Sequence, residues 1–420
     1  MEAARDYVAI ASDVAASLKR LPAGHDFTVR VLHTADYPVV SLTPRRSYSH
    51  FHAENTFARR ILILVSQDDC LVAGLEAREF TSLALEVDGA RVPQQTIAVN
   101  ACIEKVDTSG ALRMRGPLVR MLVAGYACSL QRYSKALDIA SVGLHLFARA
   151  QPEYLFARSK ENTGKHVLGD SALIKWWQHT LQSALLYAMA NRSRGHSSAD
   201  DSVGTDAVIS DTAIAYCVIP GADVKDAPVT LGIQHDSTNG CHSALPAVDW
   251  KWGLPHPSEA RAHNCVLQFP DDPITRLLAE THAQNWTVAL LLEMLAVSEE
   301  CGSGHRAAYF SAALPIATAS PQDSPGTEET ADQGTLSYED YDQVLVKLFD
   351  RQMDFSTSDT ALASSKLFVD FVDSEFDIAP LVVSTSGPAV APNTPATTPA
   401  AAAPVNDLSS MIRKKRRVAQ

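Results

Sequence analysis

The chain has 420 residues, 46% of them hydrophobic and 20% charged, which is the make-up of a globular protein long enough to bury a large core without staples. Its formal net charge of −12, from 36 basic and 48 acidic side chains, excludes a protein whose whole surface grips nucleic acid. An acidic field still steers a basic partner inward. The seven cysteines form no C-x-x-C, the first residues carry no apolar leader, and no apolar run reaches the roughly 18 residues of a membrane helix, so a reducing compartment is expected.

Residues 1–100 alternate short apolar runs with turns. Residues 60–66 (RILILVS) and 70–77 (CLVAGLEA) predict two strands joined by Gln67-Asp68-Asp69. Residues 97–103 predict a further strand running into the turn Asp107-Thr108-Ser109-Gly110. From Pro117 to Arg132 the apolar positions Leu118, Met121, Leu122 and Tyr126 fall on one helical face, and residues 143–147 read as a short strand. Asp170 or Ser171 is expected to cap a helix reaching Asn191, with Leu173, Trp177, Leu181, Leu185 and Ala188 at helical spacing. Pro273 suits the first position of another helix, residues 286–298 continue as an apolar helix, and 306–314 predict a strand. Helices are expected again over 338–349 and 361–371. The stretches 193–211, 235–246 and 320–334 read as disordered insertions. The whole is expected to be one mixed α/β domain over 1–380, followed by a flexible Pro/Ala/Thr-rich tail over 381–420 that ends in the basic cluster 413–417.

Several constellations allow a bland and a sharp reading. Trp176 and Trp177 can simply pack a core, or line an apolar tunnel that favours a neutral amine. Lys165-His166-Val167-Leu168 can be a packed loop or a cofactor-holding one. In Phe269-Pro270-Asp271-Asp272-Pro273 an aspartate before proline is a helix cap; it can also hold or deprotonate a substrate ammonium. Asp107 to Gly110 is a turn by composition, and Arg113 and Arg115 after it suit a phosphate. His235, Cys241 and His242 match no common zinc spacing, and no metal is expected.

The stretch 154–177, YLFARSKENTGKHVLGDSALIKWW, resembles the fungal-specific histone H3 lysine acetyltransferases, the regulator of Ty transposition family. The matching pieces are Tyr154-Leu155-Phe156, Ser159-Lys160-x-Asn162, Lys165-His166-Val167-Leu168 and Lys175-Trp176-Trp177. Phe269 to Pro273 and Lys105-Val106-Asp107-Thr108-x-Gly110 match two further blocks of that family. The resemblance implies a CBP-like acetyltransferase fold: a central mixed β-sheet flanked by helices and loops. It implies acetyl-CoA as substrate, no metal, and transfer to a lysine near the histone fold of newly made H3. Histone chaperones, a nuclear location, chromatin assembly and the DNA-damage response go with it. No membrane and no sequence-specific nucleic-acid contact are expected.

By the same resemblance Val106, Asp107 and Thr108 would contact acetyl-CoA, and Leu112, Arg113, Met114, Arg115 and Gly116 would wrap its pyrophosphate. Phe147, Gln151, His166, Val167, Leu168 and Trp176 would line the groove. Tyr154, Trp177 and Asp272 would form the lysine end, with Asp271 beside it and Asp272 as proton acceptor. Ile274 stands where relatives commonly carry an autoacetylated lysine, so that modification is not open to this chain. The alternative is a non-catalytic chromatin scaffold on a degenerate version of the fold.

Overall fold

A computed structural model describes residues 7–43, 54–87, 90–114, 116–137, 139, 141–191, 212–222, 247–298, 301, 306–316 and 335–388. Arg115 and the three expected insertions lie outside the described residues. By its internal contacts the chain divides into Met1–Pro388 and Ala389–Gln420, and the second unit is wholly outside them.

The strands are β1 (Asp26–Thr34), β2 (Tyr37–Val39), β3 (Glu54–Gln67), β4 (Cys70–Val87), β5 (Ala90–Thr108), β6 (Ser141–Arg149), β7 (Thr212–Val218), β8 (Ala247–Trp252), β9 (Ala307–Pro315), β10 (Thr335–Leu336) and β11 (Leu381–Ser384). The helices are α1 (Tyr7–Leu18), α2 (Leu118–Ala136), α3 (Asp170–Asn191), α4 (Ala262–Cys265), α5 (Pro273–Ala279), α6 (Val288–Val297), α7 (Tyr338–Leu348) and α8 (Ser358–Glu375). Among the described residues the strands form one mixed sheet in the order β10-β1-β3-β4-β5-β6-β9-β7-β8, with β11 also on β1 and β2 on β3. This is the expected mixed α/β architecture.

Strand alternation builds two cores from the same strands. Val29 and Val31, like Ile61, Ile63 and Val65, face a core shared with α1, α2 and α3. Leu32, Leu62 and Leu64 face a second core closed by α7 and α8. The β3–β4 hairpin turns on Asp68 and Asp69, both at positive φ (49° and 62°). Two left-handed residues match the right-handed twist of the flanking strands, and aspartate tolerates that conformation better than most side chains.

Three expectations change. The N-terminal stretch holds a helix, α1, which packs on α2 rather than joining the run of strands. Asp170 does not cap α3; it is the helix's first residue, and its carboxylate accepts the Arg306 backbone N–H at 2.9 Å. The fold also continues past residue 380, because β11 pairs antiparallel with β1 from Val29↔Leu381 to Asp26↔Ser384.

Candidate active site

The site arises where two neighbouring strands part. β5 and β6 pair in parallel only from Val99↔Val142 to Ile103↔Leu146. Beyond that point β5 follows β4 as far as Thr108, and β6 follows β9 as far as Arg149. The two facing backbone edges open onto a cleft of about 590 Å³, lined by Glu104 to Thr108 on one side and Leu146 to Arg149 on the other. That volume lies in the range of small-molecule sites. A bare strand edge offers N–H and C=O groups to an extended, amide-bearing ligand, as it would to an added strand. The first turn of α2, the loop His166-Val167-Leu168 and both tryptophans of α3 complete the wall.

Asp107 organises the rim of the cleft. Its Oδ2 accepts the backbone N–H groups of Tyr154 (2.8 Å), Leu155 (2.9 Å) and Phe156 (3.3 Å). Its Oδ1 accepts from Thr108 N (2.8 Å) and Lys165 Nζ (2.6 Å). The Lys165 ammonium also donates to Ser159 Oγ at 2.7 Å. Both charged side chains are almost fully buried. Glycines let the two segments meet: Gly110 sits at φ 85°, and a Cβ on Gly164 would lie 2.1 Å from the Gly110 oxygen. The blocks at 105–110 and 154–168 are therefore one structural unit. Asp107 lines the cleft, but its carboxylate is taken up by five protein donors, so the expected contact with a cofactor falls to the backbone around it.

Trp177 combines both readings of the tryptophan pair. It is 6% exposed, belongs to the main core and also lines the cleft. Trp176 is half-buried, stands edge-on to Trp177 with ring centroids 4.9 Å apart, and presents the more open indole. The Tyr154 hydroxyl accepts from Gln151 N (2.9 Å) and donates to the Arg149 carbonyl, so it staples the end of β6 to the loop that follows. Val106, Thr108, Phe147, Gln151, His166, Val167 and Leu168 line the same cleft.

The aspartate pair lies elsewhere. Asp272 caps α5, accepting Ile274 N at 2.7 Å, with Pro273 at the first helical position. Its side chain lines a second cavity of about 60 Å³ with Cys102, His145 and Tyr309. Leu146 borders both cavities, and Phe147 of the cleft stacks on Tyr309 of the small cavity with centroids 4.6 Å apart. Of the expected lysine end, Tyr154 and Trp177 thus line the cleft, whereas Asp272 lines the neighbouring cavity. Burial raises the Asp272 carboxyl to about 7, against the opposing pull of the Ile274 N–H, Arg276 and the Tyr309 hydroxyl. Asp271 is exposed, at φ 60°, and does not line either cavity.

The segment 112–116 only partly meets its assignment. Leu112 and Gly116 line the cleft, whereas Arg113 points away to an exposed pair with Asp68 at 3.2 Å and Met114 is buried in the main core. Basic side chains that the sequence reading missed include Arg120, in the first turn of α2, and Arg149, at the end of β6, both in the cleft wall. That helix starts at Pro117 without a side-chain cap, which leaves its N–H groups for an anion. A signal existed: a cation in a first turn runs against the helix dipole and calls for a reason.

Residues 132–371, more than half of the chain, match the model of the histone acetyltransferase KAT11-type domain. The histone acetyltransferase rtt109 of Aspergillus flavus is 25% identical over 332 residues, covering 70% of this chain and 54% of that protein. The protein of the same name from Schizosaccharomyces pombe is 28% identical over 178 residues, 41% of this chain and 42% of that protein. The chain spans about half the length of the curated relatives it matches. The crystal structure of Rtt109 from Aspergillus fumigatus superposes with a TM-score of 0.64 at 22% identity, over 90% of this chain and 99% of that one, so the two share a fold. The chain belongs to the family of histone acetyltransferase KAT11-type domains.

Proposed function

We propose that this protein transfers the acetyl group of acetyl-CoA to a lysine of histone H3, at a position near the histone fold of newly made H3. One observation carries the reading: the cleft between the parted ends of β5 and β6 brings two of the three family-like blocks, 105–110 and 154–177, into one wall, with two tryptophans beside bare strand edges. The strand edges suit the amides of the coenzyme's arm, and the α2 N-terminus with Arg120 suits its phosphates. The Trp176–Trp177 wall suits the reacting end. A lysine side chain has an ordinary pKa of about 10.4, and an apolar wall favours the neutral amine that must attack.

Histone H3–H4, delivered by an H3–H4 chaperone and a nucleosome-assembly type chaperone, fits the acidic balance of −12. The basic cluster 413–417 suits nuclear import, and with it a role in chromatin assembly and the DNA-damage response. The test is to incubate the full chain with acetyl-CoA and H3–H4, with and without each chaperone, and to map modified lysines by mass spectrometry. Acetylation confined to H3 lysines near the fold is the expected result. No transfer with any chaperone would leave the chain a scaffold.

A further inference from the structure

One carboxylate in the cleft wall has no part in the roles above: Glu104. Its placement begins with a β-bulge. In the β4–β5 ladder Glu76 pairs with Lys105 and Ala77 with Ile103, which leaves Glu104 as the extra residue. A bulge interrupts the alternation of faces and re-aims a side chain. Ile103, before it, turns into the main core, whereas Lys105, after it, reaches Glu76. The bulge falls one residue beyond the last β5–β6 pair, Ile103↔Leu146, at the apex where the strands part. Glu104 therefore stands at the root of the cleft, next to Leu146 and among the residues that line it.

The carboxylate is held but not saturated. Arg78 Nη2 lies 3.0 Å away, and 21% of the Glu104 side chain remains accessible. Asp107, by contrast, is closed off by five donors. Around Glu104 stand Glu76 and Arg78 on β4, Cys102 and Lys105 on β5, Arg60 on β3, Tyr37 on β2 and Tyr341 on α7. Burial raises its pKa above the ordinary glutamate value; Arg78 pulls it back, Glu76 adds to the rise, and Lys105 and Arg60 oppose it. An accessible carboxylate oxygen fixed at the root of the cleft is what a general base requires.

We propose that Glu104 is the proton acceptor for the substrate amine, an inference that rests on the acetyl-transfer reading above. The lysine ammonium gives one proton to a Glu104 carboxylate oxygen. The freed amine nitrogen forms the new N–C bond to the acetyl carbonyl carbon as the C–S bond breaks. The second amine proton goes to the departing sulfur, and Glu104 releases its proton to solvent. Arg78 is then a positioning residue, which fixes the carboxylate without consuming both of its oxygens.

The experiment compares wild type with Glu104→Gln and Glu104→Asp in the full chain. Transfer to H3–H4 is followed from pH 6 to 9, acetyl-CoA affinity by calorimetry, and the carboxyl resonance of Glu104 by carbon NMR with labelled glutamate. Glu104→Gln is expected to lower kcat about a hundredfold and to erase the rising limb of the pH profile. Acetyl-CoA affinity should stay within about twofold of wild type. Glu104→Asp keeps a carboxylate opposite Arg78 and should retain the limb at reduced kcat; it carries the test if Glu104→Gln does not fold. In wild type the resonance missing from the Gln variant should titrate above the ordinary glutamate value. A folded Gln variant with wild-type kcat and pH profile, or a Glu104 resonance titrating at the ordinary value, overturns the base role while leaving the acetyl-transfer reading intact. Absence of transfer by wild type overturns both.

Discussion

Asp107 and Asp272 are both enclosed aspartates in blocks that look alike in the sequence as site residues, yet the fold treats them in opposite ways. Asp107 accepts three backbone N–H groups of 154–156, a fourth from Thr108, and the Lys165 ammonium. Asp272 accepts one backbone N–H at 2.7 Å and faces the Tyr309 hydroxyl in a small cavity where burial raises its pKa to about 7. A carboxylate with that many donors is a building element; one with few donors in an apolar setting is a titrating group. Neither is free in the main cleft, whereas Glu104 keeps part of its side chain accessible there.

The comparison breaks most readily at Lys165. Lys165→Met strands the Asp107 charge in the interior, so folding should weaken by about 3–5 kcal/mol, measured by denaturant unfolding. A loss under ~1 kcal/mol would mean that the Asp107 cluster does not hold the rim together. The tryptophans come next. Trp177→Ala should cost roughly 3 kcal/mol, as emptying a core position does. Trp176→Ala, on the half-buried side, should cost about 1 kcal/mol and show its main effect in acetyl-CoA binding. Equal stability losses would mean that both indoles are simply core.

A further effect is the pH dependence set by Asp272. Its folded pKa of about 7 lies above the ordinary 3.8, so between those values the folded chain binds more protons than the unfolded one. Its contribution to stability is greatest below about 4, falls as pH rises towards 7, and is level above that. Asp272→Asn keeps a helix-capping oxygen and should flatten this slope, so that thermal unfolding at pH 5 and pH 8 differs less than in wild type. An unchanged slope would assign the proton to another group. The same variant should leave the acetyl-transfer pH profile in place, in contrast to Glu104→Gln.

The sequence made the scaffold of the site readable but not its geometry. The β3–β4 hairpin, β6, α3 and the Pro273 helix start follow from periodicity and turn chemistry, and they fall where expected. The helix α1 does not: its YVAIASDVAASL mixes β-branched and small residues that suit a short strand as well as a helix, and only packing on α2 decides. The strand β7, with the burial pattern eBeBiBB, follows directly on a stretch without periodicity and is recognised only by its pairing with β9. Among the candidate site residues, those at 106–108 and 166–168 belong to local blocks that the sequence displays, and they line one cleft. Two features escape any local pattern. The parting of β5 from β6 depends on which partner each strand keeps, and the Glu104 bulge is a register event between two strands.

The central claim is that the cleft between β5 and β6 holds acetyl-CoA against Trp176, apart from the Asp272 cavity. Calorimetric titration of acetyl-CoA into the full chain tests it most directly, with Trp176→Ala and Asp272→Asn as companions. We predict one-to-one binding to wild type, at least about tenfold weaker binding to Trp176→Ala at nearly unchanged stability, and wild-type affinity in Asp272→Asn. Wild-type affinity in Trp176→Ala together with lost affinity in Asp272→Asn would contradict the account and move the site to the other cavity.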